Sequence, residues 1–265
     1  MILDTHCFSA IGARTANDDA FATAKGAGYM LMALADGLGG HRGGGVAAGT
    51  AVQSIGRAFG ERPDLGDESL AASVRCADEA VAAERARLGA HSSFHRTTLA
   101  FVACSNGNAR WGHVGDTRIY FFRAGAQVLR TRDHSVSELT QSLPAALSPE
   151  PGDVTDSHRL LRVLGAGDGA ALELAPHAVA LQNGDAFLLC TDGVWSALSD
   201  EDFAAALAAS SSAAEWGGRI RAAIEAQKRK DQDNYTAITA VYRTGAEANG
   251  MDKHGALSDG HQTLQ

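Results

Sequence analysis

An unbroken apolar run, residues 30–35, ends abruptly at Asp36 and is followed by a glycine-rich loop. Its length and the absence of any polar position favour a strand that is buried on both faces. A strand-like run that leads into an acid occurs again where residues 186–190 precede Asp192, and where residues 112–115 precede Asp116. The pattern therefore predicts three strands that deliver three acids to one edge.

The rest of the pattern predicts both strands and helices. Alternation and short apolar runs predict further strands at residues 3–10, 97–104, 109–114, 118–123, 127–129, 172–181, 185–190 and 236–242. A period of 3.6 residues predicts helices at residues 46–59, 68–88, 200–208 and 213–228, with a short helical turn at 158–164. A tight turn at residues 115–117 is expected to join its two flanking strands as a hairpin. Hairpin-like connections favour an α+β fold of antiparallel sheets covered by helices over a βαβ relay.

Composition limits the classes of protein that fit. The 265 residues contain no Pro- or Ser-rich linker, which favours one domain over two. The chain has 23 basic and 31 acidic residues, a formal charge of -8, and no basic run longer than residues 228–230, so a nucleic-acid partner is not expected. The N-terminus lacks a signal-peptide pattern and no apolar run approaches membrane-spanning length, so we expect a cytoplasmic protein without a membrane partner.

The four cysteines form no closely spaced pair that would indicate a metal or redox motif. They are Cys7, Cys76, Cys104 and Cys190. We expect reduced thiols in apolar core positions, as in a cytoplasmic protein.

The acid that ends the first buried strand is the starting point for the chemistry. Burying a lone carboxylate such as that of Asp36 costs several kcal/mol, so it requires a cationic partner. Arg42 is the nearest basic residue but lies in a flexible glycine loop, which makes a metal ion the sharper interpretation. Asp192 and Asp233 also lie at strand boundaries beside a Gly or an Asn. Oxygen ligands of this kind select Mg²⁺ or Mn²⁺.

Two such ions about 4 Å apart can share a water and lower its pKa for an in-line displacement at phosphorus. Phosphoester hydrolysis is therefore the natural reaction, and the guanidinium fork of Arg14 can bind two phosphate oxygens. The competing nucleotide-binding motifs fail, because the glycine loop has Arg42 where a dinucleotide fingerprint needs Gly and lacks the Lys-Ser/Thr of a P-loop. A partial dinucleotide pattern at residues 165–170 is followed by a strand-like segment rather than a helix.

Three other features have plainer interpretations. Asp133, His134 and Ser135 are consecutive, so their side chains point apart and are expected to be structural or to position a nearby flap. His41 is expected to be an exposed loop histidine. Trp195 and Phe187 are expected in the core.

Eight short motifs, in order, resemble those of the metal-dependent serine/threonine protein phosphatases of type 2C. They are Arg14-Thr-Ala-Asn-Asp-Asp19, Ala35-Asp-Gly-Leu-Gly-Gly-His41, Arg96-Thr-Thr98, Val114-Gly-Asp-Thr-Arg-Ile-Tyr120, Arg132-Asp-His-Ser135, Leu164-Gly165, Cys190-Thr-Asp-Gly-Val-Trp195 and Asp233-Asn234. Any one of them is weak, but together they span residues 3–242. The resemblance is closest to bacterial stand-alone members.

The resemblance implies an αββα sandwich of two central antiparallel sheets flanked by helix pairs. It implies a catalytic domain over residues 1–243, a flap at about residues 137–157 that meets the substrate, and a disordered tail at residues 244–265. It also implies two Mn²⁺ or Mg²⁺ ions at one end of the sheets, with a third, weaker position. The reaction it implies is hydrolysis of phospho-Ser/Thr by a metal-bridged hydroxide.

The resemblance also implies roles for particular residues. Asp36 would bridge both ions, the Gly37 carbonyl would serve one ion, and Asp192 with Asp233 would serve the other. Asp116 with Asp192 would supply the third position. Asp18 and Asp19 would hold metal-bound waters, Asn234 would orient the ligands, and Arg14 would bind the phosphoryl group.

This chain departs from the family pattern at three places. Asp18 stands where Glu is usual, Leu38 stands where animal members carry a histidine proposed as general acid, and Ser196 replaces a common acid. Leaving-group protonation would then fall to a metal-bound water, and the third metal position would be weakened. None of the three departures removes a direct ligand of the two central ions.

The expected partner is a phosphoprotein substrate of a Ser/Thr kinase, for example one that controls protein secretion, and the expected state is a monomer. Two alternatives stay open. The chain could be a phosphatase of an anti-anti-sigma-type regulator, or an inactive scaffold that acts as a binding module.

Overall fold

The computed structural model describes residues 2–38, 43–88, 95–141, 159–167 and 171–244. Several predictions concern residues outside these ranges. They are the exposed position of His41, most of the expected flap from residue 142 onward, and the tail from residue 245 onward.

Two antiparallel sheets form the centre of the fold. The first sheet has the strand order β1 (Ile2–Ala10), β12 (Tyr235–Arg243), β11 (Ala186–Cys190), β7 (Arg118–Arg123) and β8 (Ala126–Arg130). The second sheet has the order β10 (Val179–Ala180), β6 (Asn108–Val114), β5 (Leu99–Ser105), β3 (Tyr29–Leu38) and β2 (Asp19–Gly26). The short strands β4 (Arg96–Thr97) and β9 (Glu173–Leu174) pair with β3 and β6.

Helices cover the outer face of each sheet. They are α1 (Gly44–Glu61) and α2 (Asp67–Leu88) on the second sheet, and α4 (Asp192–Trp195), α5 (Asp200–Ala208) and α6 (Ala213–Ala226) on the first. A further short helix, α3 (Val136–Gln141), buries none of its residues. Ile55 and Phe59 of α1 and Val74 of α2 lie in one apolar cluster with the outer face of the second sheet. Phe203 of α5 and Trp216 of α6 lie in another with the outer face of the first sheet.

A third apolar cluster lies between the two sheets. It contains Met32, Trp111, Phe121, Phe187 and Ile238, and the rings of Phe121 and Phe187 stack with their centroids 4.8 Å apart. Strands that contribute to the inner and outer clusters alternately must be apolar on both faces, which explains the unbroken run of β3. The three clusters separate four layers, so the predicted αββα architecture is confirmed.

The predicted hairpin at residues 115–117 is wrong. β6 belongs to the second sheet and β7 to the first, so this connection carries the chain from one sheet to the other. Gly115 has φ +102 and lies against the Thr98 side chain, a backbone conformation and a close approach that favour glycine. A glycine turn signals a change of direction, but it does not specify which strand the chain pairs with next.

Two further predictions need correction. Residues 172–181 form two short strands, β9 and β10, because Pro176 interrupts the ladder and has no N–H to donate. The buried Arg110 side chain takes up the freed carbonyls, with Nε 2.8 Å from the Ala175 oxygen and Nη2 3.1 Å from the Pro176 oxygen. The expected helical turn at 158–164 is absent from residues 159–164, where Leu160 bridges to Ser135 and Leu164 bridges to Thr97.

The cysteine expectation holds in part. Cys104 and Cys190 are buried and Cys7 is half-buried, whereas Cys76 lies on the exposed face of α2, and all four are free thiols.

Within the described ranges, no helix combines the length and the apolar character that a bilayer crossing needs.

Candidate active site

Asp36 occupies a fixed backbone position near the end of β3. Its N–H donates to Thr98 Oγ1 at 2.8 Å, and its carbonyl accepts from the Thr98 N–H at 2.9 Å and from Thr97 Oγ1 at 2.7 Å. The Thr98 hydroxyl is itself 2.5 Å from the Thr117 hydroxyl. Because the backbone N–H and carbonyl of Asp36 are both bonded, the direction in which its side chain leaves the strand is fixed.

Gly37 allows the start of α1 to approach this strand end. A Cβ atom at Gly37 would overlap the backbone of Gly44, and the Gly37 N–H donates to the Asp18 carbonyl at 3.1 Å. The Asp18 carboxylate in turn accepts from the Gly45 N–H at 2.9 Å. Asp18 therefore binds the first turn of α1, where a negative charge is stabilised by the free N–H groups.

Asp192 is the first residue of the short helix α4, which the sequence did not predict. The next residue, Gly193, packs so closely on the Asn234 carbonyl that a Cβ atom would overlap it. Gln232 Nε2 also donates to the Gly193 carbonyl at 2.8 Å. These contacts fix Asp192 beside the segment that carries Asp233.

Asn234 ties the loop that carries Arg14 to this segment. Its Nδ2 group donates to the carbonyls of Ile11 and Ala16 at 2.8 and 2.9 Å, and its Oδ1 accepts from the Asp18 N–H at 2.9 Å. Arg14 then reaches Asp233, with Nη2 2.5 Å from Oδ2. The Arg14 side chain remains 59% exposed, so it can also reach a ligand from solution.

Asp19 lies directly opposite Asp36 in the β2–β3 ladder. Two like charges at facing positions repel each other. Thr191 Oγ1 donates to Asp19 Oδ2 at 2.9 Å, but Asp19 Oδ1 is buried and has no hydrogen-bond partner. This orphaned oxygen is a free acceptor at the centre of the cluster.

Asp116 joins the cluster from the crossover between the sheets. Its carbonyl accepts from Trp195 Nε1 at 3.0 Å. The Arg118 guanidinium lies 3.7 Å from the Trp195 ring centroid and donates to both Asp133 oxygens, at 2.8 and 2.7 Å. The indole of Trp195 therefore joins Asp116 to α4, and Trp195 is not the plain core residue that the sequence suggested.

The electrostatics show that five carboxyl groups share one neighbourhood. They are Asp19, Asp36, Asp116, Asp192 and Asp233. Burial, and then the neighbouring carboxylates, raise the pKa of Asp19 and of Asp116 to about 7 and that of Asp36 well above its usual value. Burial and Asp233 raise the pKa of Asp192 to about 6, although a hydrogen bond from the Gly193 backbone N–H and the charge of Arg14 oppose the shift.

The residues fit divalent cations. In the described part of the chain, Arg14 is the only basic side chain that forms an ion pair with any of these five acids. An all-oxygen donor set, an excess of negative charge and the orphaned Asp19 oxygen suit Mg²⁺ or Mn²⁺ better than a soft metal. The donor atoms of these aspartates are spaced widely, since no three of them all lie within 4.8 Å of one another. Among the described residues, only His113, His134 and Glu173 form a set of potential metal ligands that close together.

The structure thus brings together the acids that the sequence singled out, with Arg14 beside Asp233 and Asn234 beside Asp18. Sequence reasoning assigned no role to Thr97, Thr98 or Thr191, whose hydroxyls bond to Asp36 and Asp19. Two threonines adjacent to a buried strand were the available signal. It did not indicate which neighbouring strand they would meet.

The fold and this acid cluster define a protein phosphatase of type 2C, and the chain belongs to that family. The family model described as protein phosphatase 2C matches residues 9–227. The serine/threonine protein phosphatase PstP of Mycobacterium tuberculosis is 30% identical over 183 residues, 68% of this chain and 35% of PstP. Protein phosphatase PhpP of Streptococcus pneumoniae is 30% identical over 185 residues, 66% of this chain and 72% of PhpP. The chain therefore spans about a third of the length of PstP.

Solved structures agree on the fold. The Mycobacterium tuberculosis serine/threonine phosphatase PstP superposes with a TM-score of 0.77 at 26% identity, over 92% of this chain and 100% of that one. Another PstP structure, the catalytic domain in complex with 2 manganese ions, has a TM-score of 0.71 at 26% identity, over 91% and 99% of the two chains. PppA, described as a key regulatory component of T6SS in Pseudomonas aeruginosa, has a TM-score of 0.74 at 25% identity, over 91% and 98%.

Proposed function

We propose that this protein is a metal-dependent phosphoprotein phosphatase that hydrolyses phospho-Ser and phospho-Thr esters. The observation that supports it most is the cluster of five aspartates, from the ends of strands in both sheets, with the exposed guanidinium of Arg14 at its margin. Hydrolysis of a phosphate ester needs a nucleophile, charge stabilisation and a binding group for the phosphoryl oxygens. The aspartates would hold the metal ions that supply the nucleophile and stabilise charge, and Arg14 would bind the phosphoryl oxygens.

Two Mn²⁺ or Mg²⁺ ions, when bound, supply Lewis acidity and a water that ionises near neutral pH as the nucleophile. Asp36, the Gly37 carbonyl, Asp192 and Asp233 are the residues that would hold them, and Asp116 with Asp192 would hold a weaker third ion. Asp19, through its unpartnered oxygen, and Asp18 would orient waters around the ions. Asn234 fixes the position of the Arg14 loop and of Asp18 relative to these ligands, through its hydrogen bonds to the Ile11 carbonyl and the Asp18 N–H.

Arg14 binds and orients the phosphoryl group. Its side chain is 59% exposed and the guanidinium contacts the cluster through Asp233, so one N–H edge is available for phosphate oxygens. In this arrangement the phosphorus atom would lie next to the acids. The serine or threonine oxygen, which is the leaving group, would lie on the side of the phosphorus atom away from the attacking water.

The proposed domain is residues 1–243, with the expected flap at about residues 137–157 forming the rim that meets the substrate. We place the protein in the cytoplasm, as a monomer that opposes a Ser/Thr kinase. The likeness to PppA makes a kinase linked to protein secretion one candidate for that opposing partner.

The test is hydrolysis of p-nitrophenyl phosphate by Asp36→Ala and by the matched control Asp231→Ala; the Asp231 side chain is 80% exposed. Wild type and the control should show equal Mn²⁺-dependent rates, whereas Asp36→Ala should show none while keeping the wild-type circular dichroism spectrum. Equal rates in wild type and Asp36→Ala would refute the proposal.

A further inference from the structure

A pocket lined by arginines lies beside the cluster of aspartates. This pocket of about 310 Å³ is lined by three arginines, Arg96, Arg159 and Arg162, and by the apolar residues Leu160, Leu161, Val163, Ala166 and Ala171. Three arginines and no acid line this pocket, which we call the arginine pocket. Exposed arginines are common singly, but three that face one concavity repel each other unless an anion joins them.

The contacts of these arginines leave them available for a ligand. Among the described residues, none of the three forms an ion pair, and the Nε atom of Arg96 is buried without a hydrogen-bond partner. Arg162 makes only long contacts, 3.4 Å to His134 Nε2 and 3.5 Å to the Ala171 carbonyl. A charged group with an unpaired buried donor is costly, and an anion bound by the guanidinium would offset that cost.

The arginine pocket is close to the proposed catalytic site. Arg96 pairs with Leu38 in the β3–β4 ladder, two residues beyond Asp36. At about 3.3 Å per residue, the two positions are about 7 Å apart along the strand. The pocket is connected to the same strand end by the Thr97–Leu164 bridge. A substrate segment with one group at the acids can therefore place a neighbouring side chain among the arginines.

The number of guanidinium groups indicates the kind of anion. Each guanidinium presents a planar pair of donors, and three of them can match the three terminal oxygens and double charge of a phosphate monoester. A carboxylate offers two oxygens and one charge, which leaves two of the three guanidinium charges uncompensated, whereas a phosphate monoester leaves one. A phosphorylated side chain is therefore the better match.

We propose that the arginine pocket binds a second phosphorylated residue of the substrate, two to four positions from the residue that is dephosphorylated. The pocket selects multiply phosphorylated segments over singly phosphorylated ones. This inference rests on the proposed phosphatase function, which it makes more specific.

The test compares phosphoserine peptides that carry a hydrolysis-resistant phosphonate analogue of phosphoserine at positions two, three or four residues to either side. Matched peptides carry Ala or Asp at the same position. For wild type, KM should fall about tenfold relative to the Ala peptide at one or more spacings, with kcat nearly unchanged, because the second phosphate contributes equally to binding of the ground state and the transition state. The Asp peptide should gain less than threefold.

Arg96→Gln and Arg159→Gln should each remove most of this preference while keeping the wild-type rate on p-nitrophenyl phosphate. Arg159→Gln covers the case in which Arg96→Gln folds poorly, because Arg159 is exposed. Arg219→Gln, an exposed position on α6 outside the pocket, is the control and should retain the preference.

No KM difference at any spacing, or a preference that survives both pocket variants, would overturn the inference. An equal gain from Asp would overturn the assignment to phosphate. If wild type fails to hydrolyse p-nitrophenyl phosphate and the singly phosphorylated peptide, the proposed function fails instead. Fluorescence anisotropy with a labelled phosphonate peptide then tests the pocket alone, and binding lost in Arg159→Gln but not in Arg219→Gln supports it.

Discussion

Trp195 donates its indole N–H to the carbonyl of Asp116 at 3.0 Å, so one side chain joins the short helix that begins at Asp192 to the crossover between the two sheets. The Arg118 guanidinium stacks on the same ring at 3.7 Å and is held by Asp133. Asp116 and Asp192 come from different parts of the chain, and this contact sets the distance between them. Trp195 is therefore a positioning residue for the two acids of the proposed third metal position.

Trp195→Phe should keep the stacked ring but remove the hydrogen bond to Asp116. We expect a loss of about 1 kcal/mol in the free energy of unfolding, because a carbonyl loses its donor. We also expect the Mn²⁺ concentration for half-maximal activity, and the dissociation constant measured by calorimetry, to rise several-fold.

Trp216→Phe is the matched control. The Trp216 indole also donates to a backbone carbonyl, that of Phe203 at 3.1 Å, but it lies in the cluster under α6. It should lower the stability without changing the Mn²⁺ dissociation constant. Equal Mn²⁺ binding in Trp195→Phe and wild type would show that Trp195 does not position these acids.

Gly193→Ala tests the close contact between α4 and the Asn234 backbone. The added Cβ would overlap the Asn234 carbonyl, which is backbone and cannot move aside cheaply. We expect a loss of about 2 kcal/mol or more in the free energy of unfolding and weaker Mn²⁺ binding, because Asp192 shifts with the helix.

Gly218→Ala serves as the comparison for that substitution. Gly218 lies in α6, where an added Cβ would meet nothing within 4 Å, so alanine should stabilise the helix by about 0.5 to 1 kcal/mol. Urea denaturation measures both variants. A neutral effect of Gly193→Ala would contradict the close packing described here.

Arg14→Ala should lower kcat/KM for p-nitrophenyl phosphate by about 30- to 150-fold, since a charge-assisted hydrogen bond contributes about 2 to 3 kcal/mol. The melting temperature should change little, because the side chain is 59% exposed. Arg14→Lys should recover part of the loss, as it keeps the charge but not the fork. Arg75→Ala, at an ion-paired side chain that is 56% exposed, should leave kcat/KM unchanged. An Arg14→Ala enzyme as active as Arg75→Ala would remove Arg14 from the site.

The acid cluster should make the stability of the metal-free protein depend on pH in an unusual direction. The pKa values of Asp19 and Asp116 are raised to about 7 from 3.8 by burial and by neighbouring carboxylates. Between these two pKa values the folded state binds more protons than the unfolded state, so the free energy of unfolding must fall as the pH rises from 3.8 through about 7. Between pH 6.5 and 8 we expect a loss on the order of 1 to 2 kcal/mol in EDTA.

Two buried histidines act in the opposite sense at lower pH. Burial lowers the pKa of His134 to about 4 and also lowers that of His113. As the pH falls below 6.5, the unfolded state takes up protons on these histidines before the folded state does, so the protein becomes less stable. Stability in EDTA should therefore be measured above pH 6.5, by calorimetric melting. In saturating Mn²⁺ the decline should vanish, because the metal binds the ionised carboxylates. A flat profile in EDTA would show that the acids do not interact as described.

The sequence predicted those parts of the fold that depend on local pattern. The run at residues 30–35 and the amphipathic spacing of residues 46–59 correspond to β3 and α1, because burial on two faces or one leaves a direct trace in residue type. The αββα arrangement came from the family resemblance. The short helix α4 was missed because four residues are too few to show a helical period.

Errors arose where long-range pairing decides the structure. Gly115 was expected in a hairpin, yet β7 pairs with β11 rather than with β6, and no feature of a three-residue turn encodes that choice. The acids were found because they end apolar runs. Their supporting hydroxyls, such as those of Thr98 and Thr191, could not be recognised, because each contacts an acid more than 60 residues away.

Anomalous diffraction at the manganese edge, from crystals grown with Mn²⁺, tests the central claim most directly. The account predicts two strong peaks about 4 Å apart, both within ligand distance of Asp36, with Asp192 and Asp233 on one of them. It predicts no such pair of peaks in Asp36→Ala. Manganese peaks away from these carboxylates in the wild-type crystal, or none at all, would contradict it.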